Sequence, residues 1–282
     1  MSALARYFKD RGKEVKGYDK TETDLTKQLE SEGIAIHYED LGPKVLLGLD
    51  VETTLVIYTP AVPKKHGELN AFWDEEFMVI KRAKALGMIT QSYETFAVAG
   101  THGKTTTSSI LMHVLNQTEE GCNAFIGGIS TNYESNCIIN TDSDRVVVEA
   151  DEFDRSFMQL MPNHAIITSM DADHLDVYGD GAQMTEAFVD FAKLLRNGGS
   201  LFVNQRVRKP LDDAGLSFTS YGFDEHSANW VGSNILFRDG RFYFDIFHDH
   251  QEWKEVEFGL PGTHNAENAL AVFALCTSIG IE

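Results

Sequence analysis

The stretch FAVAGTHGKTTTSSILMHVL, residues 96–115, decides the fold class of this chain. It begins with an apolar run typical of a buried strand, continues through the glycine loop 100–105, and ends in a helical pattern. A strand, a glycine loop and a helix in this order are the context of a phosphate-binding loop, although the two glycines lie closer together than usual. A glycine turn with an incidental lysine is the alternative, and the flanking strand and helix argue against it.

The residues of this loop have the chemistry that a nucleoside triphosphate requires. Glycines let backbone N–H groups approach phosphate oxygens, and the helix N-terminus adds partial positive charge. Lys104 can reach the β- and γ-phosphates, and the Thr105 hydroxyl can bind Mg²⁺. The predicted ATP-binding residues of the loop are Gly100, Thr101, His102, Gly103, Lys104, Thr105 and Thr106.

Composition limits the classes of partner. The chain has 282 residues with 43% hydrophobic and 24% charged residues, which fits a globular protein of one large or two smaller domains. Its net charge of -19 disfavours nucleic acid and anionic membranes. The three cysteines form no CxxC pair, and we see neither a signal segment nor an apolar run long enough for membrane insertion. We therefore expect a cytoplasmic protein.

Alternating helix and strand patterns predict an α/β fold with parallel sheets and crossover helices. We expect a domain boundary at Thr90–Tyr93, which separates residues 1–92 from residues 93–282. The first part opens directly in a helix, and we therefore expect it to be a Rossmann-like domain without its first strand. Its predicted elements are the helices Met1–Lys13 and Lys81–Leu86 and the strands Glu14–Tyr18, Ile34–His37 and Leu55–Tyr58.

The second part repeats the α/β alternation. Within it, residues 228–258 contain two alternating runs joined by Asp239-Gly240, which predicts a β insertion packed on the α/β domain. The other predicted elements are the strands Thr95–Ala99, Val146–Glu149, Ala165–Thr168 and Ser200–Val203 and the helices Thr105–Asn116 and Ala182–Leu195.

Two acidic segments follow predicted strands. In VVVEADEFDRSF, residues 146–157, four acids crowd the strand end, and carboxylates this close repel unless they meet cations. Glu149 is the first of them and a candidate Mg²⁺ ligand, with a solvated acidic turn as the alternative. In AIITSMDADHLDVYG, residues 165–179, His174 lies among acids, so a metal or phosphate role and a structural role are equally open. Because carboxyl ends of parallel strands share one crevice, we expect a single Mg-nucleotide site.

A last candidate segment is GLPGTHNAENALAVFAL, residues 259–275. His264, Asn265 and Asn268 lie at the start of a predicted helix, and the two asparagines are three residues apart and share a face. Their amides could recognise a purine edge. Helix capping by Thr263 or Asn265 is the alternative, and it is compatible with recognition.

Together these segments resemble the Mur ligases, which use the shortened loop GTHGKTTT. The resemblance spans essentially the whole chain and is closest to the members that join L-alanine to UDP-N-acetylmuramic acid in peptidoglycan precursor synthesis. The supporting motifs are MSALARYF (1–8), GYDKTET (17–23), YTPAVP (58–63), EADEFDRSF (149–157), DADHLDVYG (171–179) and GTHNAENALA (262–271).

The resemblance implies a mechanism and roles for individual residues. ATP, bound with Mg²⁺, phosphorylates the muramoyl carboxylate, and the amine of L-alanine attacks the acyl phosphate. Lys104, Glu149 and His174 are the implied catalytic residues: Lys104 stabilises the transferring phosphoryl group. Thr105, Glu149 and His174 are the implied metal ligands, and His264, Asn265 and Asn268 face adenine. The implied substrate-binding residues are Asp19, Thr59, His102, Asp151, Glu152, Asp154 and Ser156.

The chain also departs from the family pattern. The family has a strand and glycine loop before the segment that matches Met1, and a third domain after the segment that ends at Glu282. We therefore expect residues 1–282 to bind nucleotide weakly and not to ligate. No lysine lies between His174 and Lys193, so the modified lysine that bridges metals in some relatives has no counterpart, and the second metal stays open.

Three other functions remain open at this point. A recycling ligase that attaches a whole peptide to the same sugar nucleotide shares most of these motifs. The acidic segment and the sugar-nucleotide domain argue against a folate-glutamylating synthase. Retention of Lys104, Thr105, Glu149 and His174 argues against a non-catalytic UDP-sugar or nucleotide-binding module.

Overall fold

The structure, a computed structural model, describes residues 1–171 and 181–281, without the side chain of Asp154. The chain divides into two compact units, residues 1–89 and residues 90–282. Within the described residues, no helix combines the length and the apolar character needed to cross a membrane.

The first unit contains two separate two-stranded parallel sheets, β1 with β2 and β3 with β4. Its strands are β1 (Lys16–Tyr18), β2 (Ala35–His37), β3 (Leu55–Tyr58) and β4 (Met78–Lys81). Its helices are α1 (Ser2–Asp10), α2 (Asp24–Ser31), α3 (Gly67–Asp74) and α4 (Arg82–Thr90). The Thr23 side chain accepts a hydrogen bond from the backbone N–H of Thr26 and so caps α2.

The second unit is built on one ten-stranded sheet with the order β14-β13-β12-β11-β10-β9-β5-β8-β6-β7. All neighbours from β12 through β6 are parallel, whereas β7, β13 and β14 are antiparallel to their neighbours. The strands are β5 (Glu94–Ala99), β6 (Asn123–Ser130), β7 (Ser135–Ile138), β8 (Arg145–Ala150), β9 (His164–Ile167), β10 (Ser200–Asn204), β11 (Thr219–Phe223), β12 (Trp230–Arg238), β13 (Arg241–His248) and β14 (Gln251–Phe258). The helices are α5 (Lys104–Asn116), α6 (Gly181–Lys193), α7 (Lys209–Asp213) and α8 (Thr263–Ser278).

The predicted hairpin is confirmed, but its packing is not. Asp239 and Gly240 both have positive φ, 54° and 79°, and link β12 to β13. These strands do not pack on the domain as a separate layer. Tyr221 of β11 pairs in parallel with Trp230 of β12, so the segment extends the central sheet. Pairing of this kind satisfies backbone groups that a free β11 edge would expose.

The core of the second unit lies against the sheet, where α5 and α8 pack together. Phe96, Val147 and Ile166 of the three central strands are fully buried. They belong to one apolar cluster that includes Leu111 of α5 and Leu270 of α8. Burial on both sides explains why the central strands read as continuous apolar runs in the sequence.

The amino end of β9 carries a buried histidine that makes stability depend on pH. The His164 ring lies 4.8 Å from the Phe96 ring, and its Nε2 is 3.2 Å from Oε1 of Glu94. Burial lowers the pKa of His164, and the hydrogen bond to Glu94 opposes this in part. The unfolded chain therefore binds more protons at His164 than the folded one, so the free energy of unfolding falls as pH drops through the ordinary histidine range.

We expect His164→Gln, which keeps a side-chain N–H for Glu94, to flatten this dependence. Urea unfolding between about pH 7.5 and about pH 5.5 measures it. The wild type should lose more unfolding free energy than the variant over this range. Equal losses would show that His164 does not control the acid sensitivity.

Candidate nucleotide-binding site

The predicted phosphate loop joins the buried end of β5 to the first turn of α5. Gly100 has φ 145° and Gly103, the N-cap of α5, has φ 82°. A Cβ atom on Gly100 would lie 2.0 Å from Oγ1 of Thr168, and one on Gly103 would lie 2.9 Å from Oδ1 of Asn268. Gly100 therefore requires glycine, because both the backbone conformation and the space exclude a side chain, whereas at Gly103 the positive φ favours glycine.

The residues after β9 hold this loop in place. The Thr168 hydroxyl donates to the carbonyl of His102, and the His102 N–H donates to Oγ of Ser169 over 2.8 Å. Oγ1 of Thr101 lies 3.0 Å from the same Ser169 oxygen. Neither Thr168 nor Ser169 was among the predicted site residues. Two adjacent hydroxyl side chains directly after a buried strand are the signal that could have found them.

Lys104 lies in a buried ion pair at the start of α5. Its Nζ donates to the carbonyl of Gly100 over 2.6 Å and to Oε1 of Glu152 over 2.9 Å. The Glu152 side chain has no exposed surface, and the Lys104 side chain is 14% exposed. The ammonium is therefore held between the glycine loop and the acidic segment after β8.

The hydroxyl of Thr105 lies beside the carboxylate of Glu149. The Thr105 hydroxyl donates to Oε1 of Glu149 over 3.0 Å, and the N–H of Gly127 donates to Oε2 over 2.7 Å. A hydroxyl and a carboxylate are oxygen ligands of the kind that Mg²⁺ prefers, so this pair fits a magnesium site. His174, the third predicted ligand, lies outside the described residues, among which no group of three His, Cys, Asp or Glu side chains is arranged to hold a metal ion.

The acidic segment continues into a 3-10 helix, Phe153–Gln159, anchored by an aromatic residue. The Phe157 ring stacks on Phe191 of α6 with centroids 5.0 Å apart. Asp151 accepts a hydrogen bond from the N–H of Phe153 over 3.1 Å, and Ser156 is half-buried. The predicted acids thus separate into different environments, and the side chain of Asp154 lies outside the described structure.

The start of α8 contributes Asn268 to the phosphate loop. Asn268 is buried with its amide against Gly103, whereas the Asn265 amide donates to the carbonyl of Pro261 over 2.7 Å. His264 is exposed at the first turn. Gly262 is the N-cap of α8 and no side chain caps this end, so the capping alternative for Thr263 or Asn265 is wrong.

The two predicted sugar-nucleotide residues lie in the first unit. Asp19 follows β1 and accepts a hydrogen bond from the N–H of Thr21 over 3.1 Å. Thr59 follows β3, and its carbonyl accepts from the N–H of Val62 over 3.1 Å. Each residue therefore lies at the carboxyl end of a parallel strand, the position at which α/β sheets bind ligands.

Two family models match the chain. The model of the Mur ligase middle domain matches residues 98–276, and the model of the Mur ligase family, catalytic domain, matches residues 1–94. The first of these matches contains the phosphate loop, Glu149, Glu152 and the start of α8.

Curated relatives match nearly the whole chain. A UDP-N-acetylmuramate--L-alanine ligase from Flavobacterium psychrophilum is 49% identical over 99% of this chain and 60% of the relative. A ligase of the same name from Porphyromonas gingivalis is 45% identical over 100% of this chain and 62% of the relative. The chain thus spans about 60% of the length of the curated relatives it matches.

Solved structures of two ligases share this fold. A UDP-N-acetylmuramate:L-alanyl-gamma-D-glutamyl-meso-diaminopimelate ligase from Neisseria meningitides matches with a TM-score of 0.87 and 26% identity, covering 100% of this chain and 90% of that one. A UDP-N-acetylmuramate-alanine ligase from Thermotoga maritima matches with a TM-score of 0.82 and 27% identity, covering 99% and 63%. Since the middle-domain model covers more than half of the chain, this chain belongs to the Mur ligase family.

Proposed function

We propose that this protein takes part in the ATP-dependent ligation of L-alanine to the carboxylate of UDP-N-acetylmuramic acid, a cytoplasmic step of peptidoglycan precursor synthesis. The observation that carries the proposal is the phosphate loop, in which Gly100 admits no side chain, Gly103 has positive φ, and Lys104 and Thr105 begin α5. Relatives named UDP-N-acetylmuramate--L-alanine ligase support the choice of substrates.

The proposed place of ATP and Mg²⁺ is in the second unit. Backbone N–H groups of the loop and the start of α5 would bind the phosphates, and Lys104 would contact the transferred phosphoryl group. Thr105 and Glu149 would hold Mg²⁺, which offsets phosphate charge when bound. Asn268, His264 and Asn265 would lie toward the base, with Asn268 also packed on Gly103.

The chemistry that ATP supplies is activation of the muramoyl carboxylate as an acyl phosphate, from which the amine of L-alanine displaces phosphate. For the chain itself we propose binding and orientation: residues 93–282 hold MgATP and residues 1–92 hold the uridine diphosphate. We propose that Asp19 and Thr59 contact the uridine diphosphate, and that His102, Asp151, Asp154 and Ser156 contact the muramoyl group.

A peptide-recycling ligase is the second candidate. The Neisseria structure, whose name describes a peptide-adding enzyme, has the higher TM-score of the two solved ligases. The curated relatives that add L-alanine have the higher identity, 49% against 26%. We favour L-alanine because sequence identity follows substrate choice more closely than overall fold does.

The test is ADP release with UDP-N-acetylmuramic acid and either L-alanine or the tripeptide as acceptor. We expect turnover that requires Mg²⁺, the sugar nucleotide and L-alanine. Turnover that prefers the tripeptide would support the recycling ligase, and ATP hydrolysis indifferent to the sugar nucleotide would contradict both.

A further inference from the structure

The Lys104–Glu152 ion pair has a feature that phosphate binding by itself does not require. Both Glu152 oxygens lie close to the ammonium, at 2.9 Å and 2.8 Å, and the carboxylate is fully buried. A buried carboxylate is expensive to desolvate unless a cation compensates it. The contact with Lys104 therefore offsets part of the cost of burying the Glu152 carboxylate.

This environment differs from the substrate contact that the family resemblance implies for Glu152. A side chain with no exposed surface, bound to Lys104, does not present its oxygens to a sugar. The backbone fixes it there, because Glu152 directly precedes the 3-10 helix that Phe157 anchors on α6. Glu152 reaches the loop through its contact with Lys104.

The neighbouring pair has the same arrangement. Glu149 accepts from the Thr105 hydroxyl, the group that would bind Mg²⁺, and Glu152 accepts from Lys104, the group that would bind phosphate. Two carboxylates from one short segment thus contact the two side chains on which a magnesium triphosphate depends. A bound metal would be compatible with the Glu149–Thr105 contact, because both side chains could bind it. Phosphate oxygens, in contrast, would compete with Glu152 for Lys104.

We propose that Glu152 is a positioning residue that acts as an internal substitute for phosphate. Its carboxylate holds the Lys104 ammonium at the loop, and an incoming nucleotide must share or displace this contact. The inference rests on the proposed nucleotide site. A ligand must therefore carry enough negative charge to compete with Glu152 for Lys104. A triphosphate has this charge and gains affinity from Lys104, whereas a monophosphate does not.

Glu152→Gln tests this proposal, since it keeps the shape and a hydrogen-bonding oxygen but removes the competing charge. We expect the variant to bind MgATP about tenfold more tightly, the size of one partly screened charge interaction, and to bind AMP as the wild type does. Calorimetry on the 282-residue chain measures both. Asp190→Asn, on an exposed residue of α6 that pairs with Lys193, controls for the change in net charge and should leave both affinities unaltered.

Glu152→Asp separates charge from structure. It keeps the charge and shortens the side chain, so its MgATP affinity should stay within about threefold of wild type even if thermal unfolding shows a loss of stability. Equal changes in Glu152→Gln and Glu152→Asp, or weaker MgATP binding by Glu152→Gln, would overturn the inference. If Lys104→Met binds MgATP normally, the nucleotide site itself is wrong, whereas loss of binding only in Lys104→Met would refute the Glu152 role and leave the site intact.

Discussion

Replacing Lys104 with methionine is expected to weaken MgATP binding by at least about 100-fold. The ammonium would lose its contacts to phosphate oxygens, and hydrogen bonds to charged groups contribute about 1.5–3 kcal/mol each, where about 1.4 kcal/mol is tenfold. Methionine has nearly the length of lysine and is compatible with the first turn of α5. Titration calorimetry of the 282-residue chain with MgATP measures the loss.

The variant also disturbs the fold, and a second variant separates the two effects. Without Lys104, the buried Glu152 carboxylate loses the cation that compensates it, and breaking a buried pair costs about 3–5 kcal/mol. The double variant Lys104→Met and Glu152→Gln removes both charges and should recover most of the unfolding free energy in urea while MgATP binding stays lost. Recovery of binding along with stability would mean that Lys104 supports the loop and does not contact phosphate.

Replacing Gly100 with alanine is expected to have the second large effect, a loss of about 2–5 kcal/mol of unfolding free energy together with MgATP binding. The added Cβ would lie 2.0 Å from Oγ1 of Thr168 and 2.9 Å from the backbone N of Ser169. Thr168 and Ser169, which directly follow β9, would have to move, and these residues hold Thr101 and His102 in place. Urea unfolding and calorimetry on the same preparation measure both losses.

Gly198 is the control: its φ is also positive, 82° against 145° at Gly100, and apart from its chain neighbours no described residue has an atom within 4 Å of its added Cβ. Gly198→Ala therefore shows the backbone effect without the collision, about 1–2 kcal/mol, and should bind MgATP normally. Similar stability in the two variants would show that the loop relaxes to accept a side chain.

Local patterns predicted those elements whose residues favour one structure. The strand ending at Ala99, the helix ending at Asn116 and the Asp239-Gly240 turn were all recognisable, because apolar runs and turn residues act over short distances. β4, β6, β7 and β11 were missed. Gly127 and Gly128 have low strand propensity and weaken the strand pattern of β6. β11 is only five residues long with a glycine near its end, so its pattern is weak as well.

The pairings within the site could not be read from the sequence. Four acids lie between Glu149 and Asp154, and the composition of the segment does not show which one meets Lys104. That choice depends on the 3-10 helix after β8 and on the burial of Phe157. The loop itself was predicted because it is local, whereas its hydrogen-bonding partners Glu149, Glu152 and Ser169 lie 44 to 68 residues further along the chain.

The sheet order also sets the time at which the site can form during synthesis. β5 lies between β8 and β9, so the strand that carries the phosphate loop leaves the ribosome long before either neighbour. Thr101 is 68 residues ahead of Ser169, the residue that fastens it. Contacts so distant along the chain form late and slowly. Nucleotide therefore cannot guide the early folding of this unit, and can stabilise it only after β9 has joined the sheet.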